Sequence, residues 1–161
     1  MTELGGLASR VGELLKERKE TLAVAESSAG GLISAALLAV PGASAYFLGG
    51  AVVYTQVARR ALLRLADESV AGIRSSTEAY ALLKARTIRS QLGATWGLAE
   101  TGASGPTGNR YGDAAGHACL AVAGPVERVV RLETRDGARE RNMWAFAEAA
   151  LELLETSLPQ R

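Results

Sequence analysis

The stretch TLAVAESSAGG, residues 21–31, decides how this 161-residue chain folds. Its first five residues are apolar and partly β-branched, which is typical of a strand buried inside a sheet. A short polar turn with two glycines follows. An alanine- and leucine-rich segment then continues to Leu38 and has the composition of a packed helix. The order strand, turn, helix is the repeating unit of an α/β fold.

The flanking sequence continues this alternation. Apolar residues recur at helical spacing from Leu4 to Leu15 and predict an amphipathic first helix. Further strands are expected at 45–54, with a bend or bulge at Gly49-Gly50, at 95–100, and in a hairpin of 118–123 and 126–132. Further helices are expected at 57–65, from a Ser75–Glu78 capping box to Leu92, and at 139–158 before Pro159.

These elements predict the fold class. Alternating strands and helices with one terminal hairpin favour a three-layer α/β/α sandwich with a mixed, mostly parallel sheet. No repeat, linker or low-complexity tract interrupts the pattern, so we expect residues 1–161 to form a single domain.

Composition excludes several classes of function. The formal net charge is +1, from 18 basic and 17 acidic residues, so no basic field for a nucleic acid is expected. One cysteine and one histidine cannot form an internal disulfide or a structural zinc site. No stretch approaches the ~20 apolar residues of a membrane span, and the N-terminal sequence does not resemble a secretory signal. We therefore expect a cytoplasmic protein without a membrane or nucleic-acid partner.

Two turns rich in small residues follow predicted strands. They are residues 26–31 and 101–107, and ligands in open α/β sheets bind beyond the carboxyl ends of strands. In the first turn, serines could simply cap the following helix. Alternatively, a serine hydroxyl could act as a nucleophile while the backbone amides of residues 28–31 bind an oxyanion.

The second turn, TGASGPTG at residues 101–108, has two interpretations as well. It is either a flexible connection or a backbone cradle for the phosphate or sugar of a nucleotide. It is not a Walker A loop, because no Gly-Lys-Ser/Thr follows, and it is not a dinucleotide fingerprint, because no long helix opens directly from it.

Three segments in order resemble those of one family. AESSAGG (25–31) is similar to the A-E-S-C-T-G-G motif of the CinA C-terminal domain. PGASAYFLGGAVVYT (41–55) is similar to its G-S-S-x-x-F-x-x-G-x-V-x-Y-S segment, and TGASGPTG (101–108) to its T-G-I-A-G-P-x-G loop. The order, spacing and length agree over nearly the whole chain.

The resemblance implies an activity, which is hydrolysis of nicotinamide mononucleotide to nicotinic acid mononucleotide and ammonia. It also implies a mixed α/β/α sheet, a homo-oligomer, and no required metal or cofactor. Catalytic roles are implied for Ser27, as the reactive or polarising hydroxyl, and for Tyr54, Arg59 and Thr101. Substrate-binding roles are implied for Glu26, Ser28, Gly30, Gly31, Gly102, Gly105, Pro106, and one or both of Arg139 and Arg141.

The sequence also departs from the family pattern. Ser28 stands where relatives usually have cysteine, Ala29 where they have threonine, and Arg59 where they have lysine. A lysine can lose its proton in a dry site and act as a base, whereas an arginine stays charged. Arg59 therefore either replaces a charge-stabilising lysine or marks a lost base. Lys16, Lys19 and Lys84 are the chain's lysines, and none lies near residue 59 in the sequence.

The remaining chemically notable residues favour structural roles. His117 is expected to be structural, although a Ser27–His117 pair is an alternative that sequence separation does not exclude. Cys119 is expected to be a buried small apolar residue. The larger aromatic side chains are expected in the core or an interface, namely Trp96, Trp144 and Phe146.

The leading hypothesis is an amidohydrolase acting on a pyridine mononucleotide. Two alternatives from other classes remain. One is a catalytically weakened module that binds a nucleotide and reports on it to a partner, and the other is a purely structural oligomerisation module.

Overall fold

The computed structural model describes residues 3–159, which contain five α-helices and five β-strands. The helices are α1 (Glu3–Arg18), α2 (Leu32–Leu38), α3 (Gln56–Leu62), α4 (Glu78–Leu92) and α5 (Arg139–Ser157). The strands are β1 (Leu22–Glu26), β2 (Phe47–Val52), β3 (Trp96–Ala103), β4 (His117–Ala123) and β5 (Arg128–Glu133).

The strands form one mixed sheet in the order β2-β1-β3-β4-β5. β1 pairs in parallel with β2 and β3, while β4 is antiparallel to both β3 and β5. Four of the five strands therefore point the same way, and β4 alone runs against them. This confirms the predicted α/β class with a mixed, mostly parallel sheet.

Both faces of the sheet are covered by helices. Along β1, Leu22 and Val24 belong to one core cluster, whereas Ala23 and Ala25 belong to another. The first cluster includes apolar residues of α1, α2 and α5, and the second includes those of α4. Alternate side chains of a strand point to opposite faces, so the continuous apolar run of β1 is explained by burial on both sides. The three-layer prediction is confirmed.

A glycine lets α4 pack closely against the sheet. A Cβ atom at Gly97 of β3 would lie 2.0 Å from the carbonyl oxygen of Ala85 in α4, a distance that no side chain tolerates. The close approach fixes α4 over β3, and α4 carries Tyr80 and Lys84 to the carboxyl end of that strand.

Three local predictions need correction. The irregularity of β2 lies at Leu48, which is skipped in the pairing with β1, rather than at Gly49-Gly50. The N-cap of α4 is Thr77, whose hydroxyl accepts a hydrogen bond from the Tyr80 amide, so the predicted Ser75–Glu78 capping box is wrong. β3 extends through Gly102 to Ala103, because β4 continues to pair with it there.

Candidate active site

The two predicted turns are neighbours in space. β1 and β3 are adjacent parallel strands with Ala25 opposite Ala99, so Ser27, which directly follows β1, and Thr101, near the carboxyl end of β3, lie at the same end of the sheet. Both line one cavity of about 730 Å³. The other residues lining this cavity are Val53, Tyr54, Thr55, Gln56, Arg59, Asp67, Val70, Ile73, Arg74, Ser75, Ser76, Tyr80, Gly102, Asn109, Arg110 and Tyr111.

Ser27 is one of the residues that line this cavity. Its side chain is partly buried, and within residues 3–159 its Oγ atom has no hydrogen-bond partner. Its backbone amide donates to Glu100 Oε2 at 3.2 Å, which fixes the position of the residue. An unpaired hydroxyl on a fixed backbone is suited to contact a substrate carbonyl carbon.

Glu26 has a different role from the predicted substrate contact. Its side chain is fully buried, and its carboxylate accepts backbone hydrogen bonds from Gly31 at 3.1 Å, Ile33 at 2.9 Å and Ser34 at 2.8 Å. The first turn of a helix leaves such amides unpaired, and a carboxylate satisfies them. Glu26 therefore joins β1 to α2 and is not exposed to a ligand.

Ser28 is also turned away from the cavity. It is 5% exposed, and its hydroxyl donates to Glu100 Oε1 at 3.0 Å. The prediction that Ser28 binds substrate is therefore wrong as a direct contact. Its small hydroxyl instead fills a polar position behind Ser27.

The predicted oxyanion site in the first turn is largely occupied by the protein itself. The amide of Ala29 donates to Glu100 at 2.5 Å, that of Gly30 to the Ser27 carbonyl, and that of Gly31 to Glu26. Gly30 and Gly31 both have positive φ, of 68° and 99°, and neither lines the cavity. These glycines shape the turn, and their amides are not available to an oxyanion.

Thr101 and Gly102 form part of the opposite wall. Thr101 is buried, and its Oγ1 atom accepts a hydrogen bond from the Ser76 amide at 3.1 Å. This bond anchors the segment before α4, which also lines the cavity. Gly102 allows close packing on β4, since a Cβ there would lie 2.4 Å from the His117 carbonyl oxygen.

The second loop is tied to the last helix by Arg139. Its guanidinium donates to the Gly105 carbonyl oxygen at 2.5 Å and to the Tyr54 hydroxyl at 3.1 Å. Arg141 instead pairs with Asp136 at 2.8 Å, on a different part of the surface. The structure therefore places Arg139 beside the site and removes Arg141 from it.

The conformation of the second loop is well defined. Gly105 is buried with φ of 107°, and the bond to Pro106 is cis, while Pro106 itself is exposed outside the cavity lining. Tyr54 is 60% exposed at the cavity wall. Gly105 thus contributes through its carbonyl contact with Arg139, and Pro106 shows no contact with the cavity.

Arg59 lies in the cavity wall but is already paired. It is 4% exposed, and its Nη2 atom donates to Asp67 at 2.5 Å. Hydrogen bonds from Arg60 and from Arg59 lower the pKa of Asp67, which keeps it ionised as their partner. Arg59 Nε is buried without a hydrogen-bond partner in the described part of the chain. The cavity wall therefore contains a guanidinium that is held by Asp67 but has one buried N–H group without an acceptor.

Several wall residues escaped the sequence analysis. The guanidinium groups of Arg74 and Arg110 each make a cation–π contact with Tyr111, at 5.0 Å from the centroid of its ring. Arg74 also pairs with Asp113 at 2.8 Å. This arginine–tyrosine group adds cationic and aromatic surface to the cavity. The only signal for it was the sequence Asn109-Arg110-Tyr111 inside a glycine-rich loop.

His117 does not pair with Ser27. Its Nδ1 atom lies 2.5 Å from Glu133 Oε1 and its Nε2 atom 2.7 Å from the Ser76 carbonyl oxygen. Burial lowers the pKa of His117, but these two hydrogen bonds and the negative charges of Asp113 and Glu133 together raise it on balance. His117 is the structural residue that the sequence favoured, and the alternative pair is wrong.

Trp96, Phe146 and Cys119 are buried, as predicted. Trp144 is 37% exposed on α5, so for this residue the predicted interface role stays a prediction. Burial raises the pKa of the Cys119 thiol to about 12, so it remains a neutral core group.

Two buried titratable side chains lie behind the Ser27 turn. Glu100 and Lys84 are both fully buried, and Lys84 Nζ donates to the Glu100 carbonyl oxygen at 2.8 Å. Burial lowers the pKa of Lys84 to about 8 and raises that of Glu100. Sequence reasoning missed both residues, although a glutamate inside an otherwise apolar strand is an unusual feature that signals a specific partner.

No helix within residues 3–159 is long and apolar enough to cross a membrane. No group of three or more histidine, cysteine, aspartate or glutamate side chains in this range is arranged to hold a metal ion.

Comparison with known sequences identifies relatives over most of the chain. Residues 5–158 match the sequence model of the CinA C-terminal domain. A CinA-like protein of Synechococcus elongatus is 36% identical over 149 residues, covering 92% of this chain and 35% of that protein. A CinA-like protein of Cyanothece sp. is 40% identical over 119 residues, covering 74% of this chain and 28% of that protein. The chain thus spans about a third of the length of these curated relatives.

Solved structures show the same fold. A competence-damaged protein (CinA) superfamily protein from Klebsiella pneumoniae matches with a TM-score of 0.90 and 28% identity, over 96% of this chain and 97% of that one. The competence/damage inducible protein CihA from Agrobacterium tumefaciens matches with a TM-score of 0.90 and 28% identity, over 99% and 98% of the two chains.

Proposed function

Because the chain belongs to the CinA C-terminal domain family, we propose that it hydrolyses the amide of nicotinamide mononucleotide, giving nicotinic acid mononucleotide and ammonia. The observation that carries this proposal is the shared cavity of Ser27 and Thr101, in which the Ser27 hydroxyl has no hydrogen-bond partner among residues 3–159. A cavity of about 730 Å³ lies within the size range of sites for small organic ligands.

The proposed reaction proceeds through an ester on Ser27. The Ser27 hydroxyl gives up its proton as its oxygen bonds to the carboxamide carbon, the carbon–nitrogen bond breaks, and the nitrogen takes up that proton and leaves as ammonia. Water then attacks the ester carbon and the bond to the Ser27 oxygen breaks. One proton of the water returns to the Ser27 oxygen, and the other is released with the carboxylate product and can be taken up by ammonia. The amides of Ala29, Gly30 and Gly31 are used within the turn, so they do not stabilise the oxyanion in this proposal.

Arginines of the cavity supply the positive charge for the nucleotide phosphate. Arg74 and Arg110 line the cavity, and Arg139 lies next to Tyr54 at its edge. A guanidinium binds phosphate through paired N–H donors, which makes these side chains the proposed phosphate contacts. Tyr111 holds Arg74 and Arg110 in place, since each guanidinium lies over its ring at 5.0 Å from the centroid.

One observation favours the second candidate, a nucleotide-binding module with weakened catalysis. No side chain within residues 3–159 hydrogen-bonds the Ser27 hydroxyl, and Arg59 occupies the position of the family lysine without being able to act as a base. Such a module would retain the arginine-lined cavity and bind the nucleotide without cleaving it.

Purified protein incubated with nicotinamide mononucleotide separates the two candidates. Ammonia release supports the amidase. A heat of binding in titration calorimetry without ammonia release supports the binding module. Absence of both would contradict both candidates and leave a structural oligomerisation module. Assembly into homo-oligomers and a cytoplasmic location stay predictions.

A further inference from the structure

Glu100 connects the interior of the sheet to the Ser27 turn. Its carboxylate accepts three donors from consecutive residues, namely the Ser27 amide at 3.2 Å, the Ser28 hydroxyl at 3.0 Å and the Ala29 amide at 2.5 Å. Two of these donors are backbone groups, so the carboxylate fixes the main chain on both sides of Ser28. Because the Glu100 carboxylate is fully buried, these three hydrogen bonds take the place of water around it.

The charges around Glu100 come from two neighbouring elements. Lys84 of α4 is fully buried and contacts the Glu100 carbonyl oxygen. Burial raises the pKa of the Glu100 carboxyl, the Lys84 charge and the hydrogen bonds from Ala29 and Ser28 lower it in part, and Glu26 of β1 raises it further. The Lys84 ammonium also lies 5.5 Å from the centroid of the Tyr80 ring, a residue of the cavity wall. Without Lys84, two buried carboxylates would lie behind the turn with no cation to balance them, which is costly in a dry interior.

We propose that Glu100 is a positioning residue for Ser27: balanced by Lys84, its carboxylate holds the Ser27–Ala29 backbone so that the Ser27 hydroxyl faces the cavity. The proposal rests on the amidase function for its kinetic consequence. It explains why an acidic residue occupies an apolar strand directly before Thr101, and why the chain buries a lysine on the sheet-facing side of α4.

The test uses the full chain with Glu100→Gln, Lys84→Met, the double variant of both, and Glu127→Gln as the control. Glu127 is a glutamate on the surface that pairs with Arg86. Amide hydrogen exchange is measured by NMR, together with kcat and KM for nicotinamide mononucleotide across pH.

In Glu100→Gln, we expect exchange at Ser27 and Ala29 to accelerate about ten- to hundredfold, because a charged acceptor is lost, while β4 amides are unaffected. We expect kcat to fall about a hundredfold with little change in KM, since a misplaced nucleophile affects chemistry more than binding. In Lys84→Met, the acidic limb of the kcat profile should move to higher pH, because the carboxyl takes up a proton more readily. The double variant should lack that shift. Glu127→Gln should match the unaltered protein.

Unchanged exchange at residues 27 and 29 in Glu100→Gln, or a loss of stability without any change in kcat of the folded protein, would overturn the proposal. If Glu100→Gln does not fold, a pH titration of the unaltered protein still tests the proposal. The chemical shift of the Ala29 amide should then titrate with the same midpoint as kcat, and a different midpoint would refute the link. Absence of ammonia release in the unaltered protein would contradict the amidase function, while the exchange measurement would still show whether Glu100 holds the turn.

Discussion

Glu26→Gln separates the capping role seen in the structure from the substrate contact expected from the sequence. The Glu26 carboxylate is fully buried and accepts hydrogen bonds from three backbone amides at the start of α2, at 2.8–3.1 Å. Glutamine keeps one carbonyl oxygen, which can still accept the Gly31 and Ile33 amides. Its NH₂ group faces the Ser34 amide, and two donors cannot form a hydrogen bond. The hydrogen bond from Ser34 is therefore lost, and those from Gly31 and Ile33 now have a neutral acceptor.

The expected loss follows from these contacts. A hydrogen bond to a charged group contributes about 1.5–3 kcal/mol, and neutral bonds are roughly half as strong. We therefore expect the free energy of unfolding to fall by about 3–6 kcal/mol. For a domain of this length, that lowers Tm by about 6–24 °C.

Urea unfolding followed by circular dichroism at pH 7 gives the change in unfolding free energy. Glu127→Gln is the matched control, because it breaks an exposed pair with Arg86 and should cost under about 1 kcal/mol. KM of the folded Glu26→Gln protein should stay within about threefold of the original, because the side chain is not exposed to ligand. A stable variant whose KM rises tenfold or more would refute the capping account and restore Glu26 as a substrate contact.

Three further predictions concern the cavity and its support. Arg59→Lys keeps a cation in the cavity wall and removes the unpaired Nε atom. Steady-state kinetics should therefore show a kcat within about tenfold of the original, whereas an increase of about 10²–10⁴-fold would show that arginine replaced a general base. Arg139→Ala removes a proposed phosphate contact, so calorimetry should show Kd for nicotinamide mononucleotide rising about tenfold or more, and unchanged affinity would exclude that role. The raised pKa of His117 means that the folded state binds its proton more tightly. The stability it contributes is therefore full below 6.5, its ordinary pKa, and declines as pH rises through the folded value. Unfolding free energies at pH 5.5 and 8.5 should show this decline in the original protein and a smaller one in His117→Gln, and equal declines would contradict the assignment.

The strand–turn–helix order and the meeting of the two turns could be predicted because they depend on local pattern and on a general rule of parallel sheets. Residues 21–31 specify a buried strand and a turn by themselves, and adjacent parallel strands end at the same edge. The family motifs add the positions of Ser27 and Thr101. These predictions needed no knowledge of side-chain direction.

The roles of individual side chains could not be predicted in the same way. Glu26 and Ser28 belong to the same motif as Ser27, yet Glu26 is turned inward to cap α2 and Ser28 is turned inward to bind Glu100. The contact between Lys84 and Glu100 joins α4 to β3 and depends on the tertiary packing that Gly97 permits. The position of Arg139 rather than Arg141 depends on where α5 begins, because Arg139 is its first residue and contacts Gly105 and Tyr54.

Ammonia release from nicotinamide mononucleotide by Ser27→Ala, compared with Ser28→Ala, tests the central claim most directly. The two serines are adjacent, but Ser27 faces the cavity and Ser28 donates to Glu100. If the Ser27 oxygen forms the ester, Ser27→Ala should lower kcat by at least about 10³-fold while Ser28→Ala lowers it less than about tenfold. Turnover that persists in Ser27→Ala would contradict the assignment of Ser27 as the nucleophile.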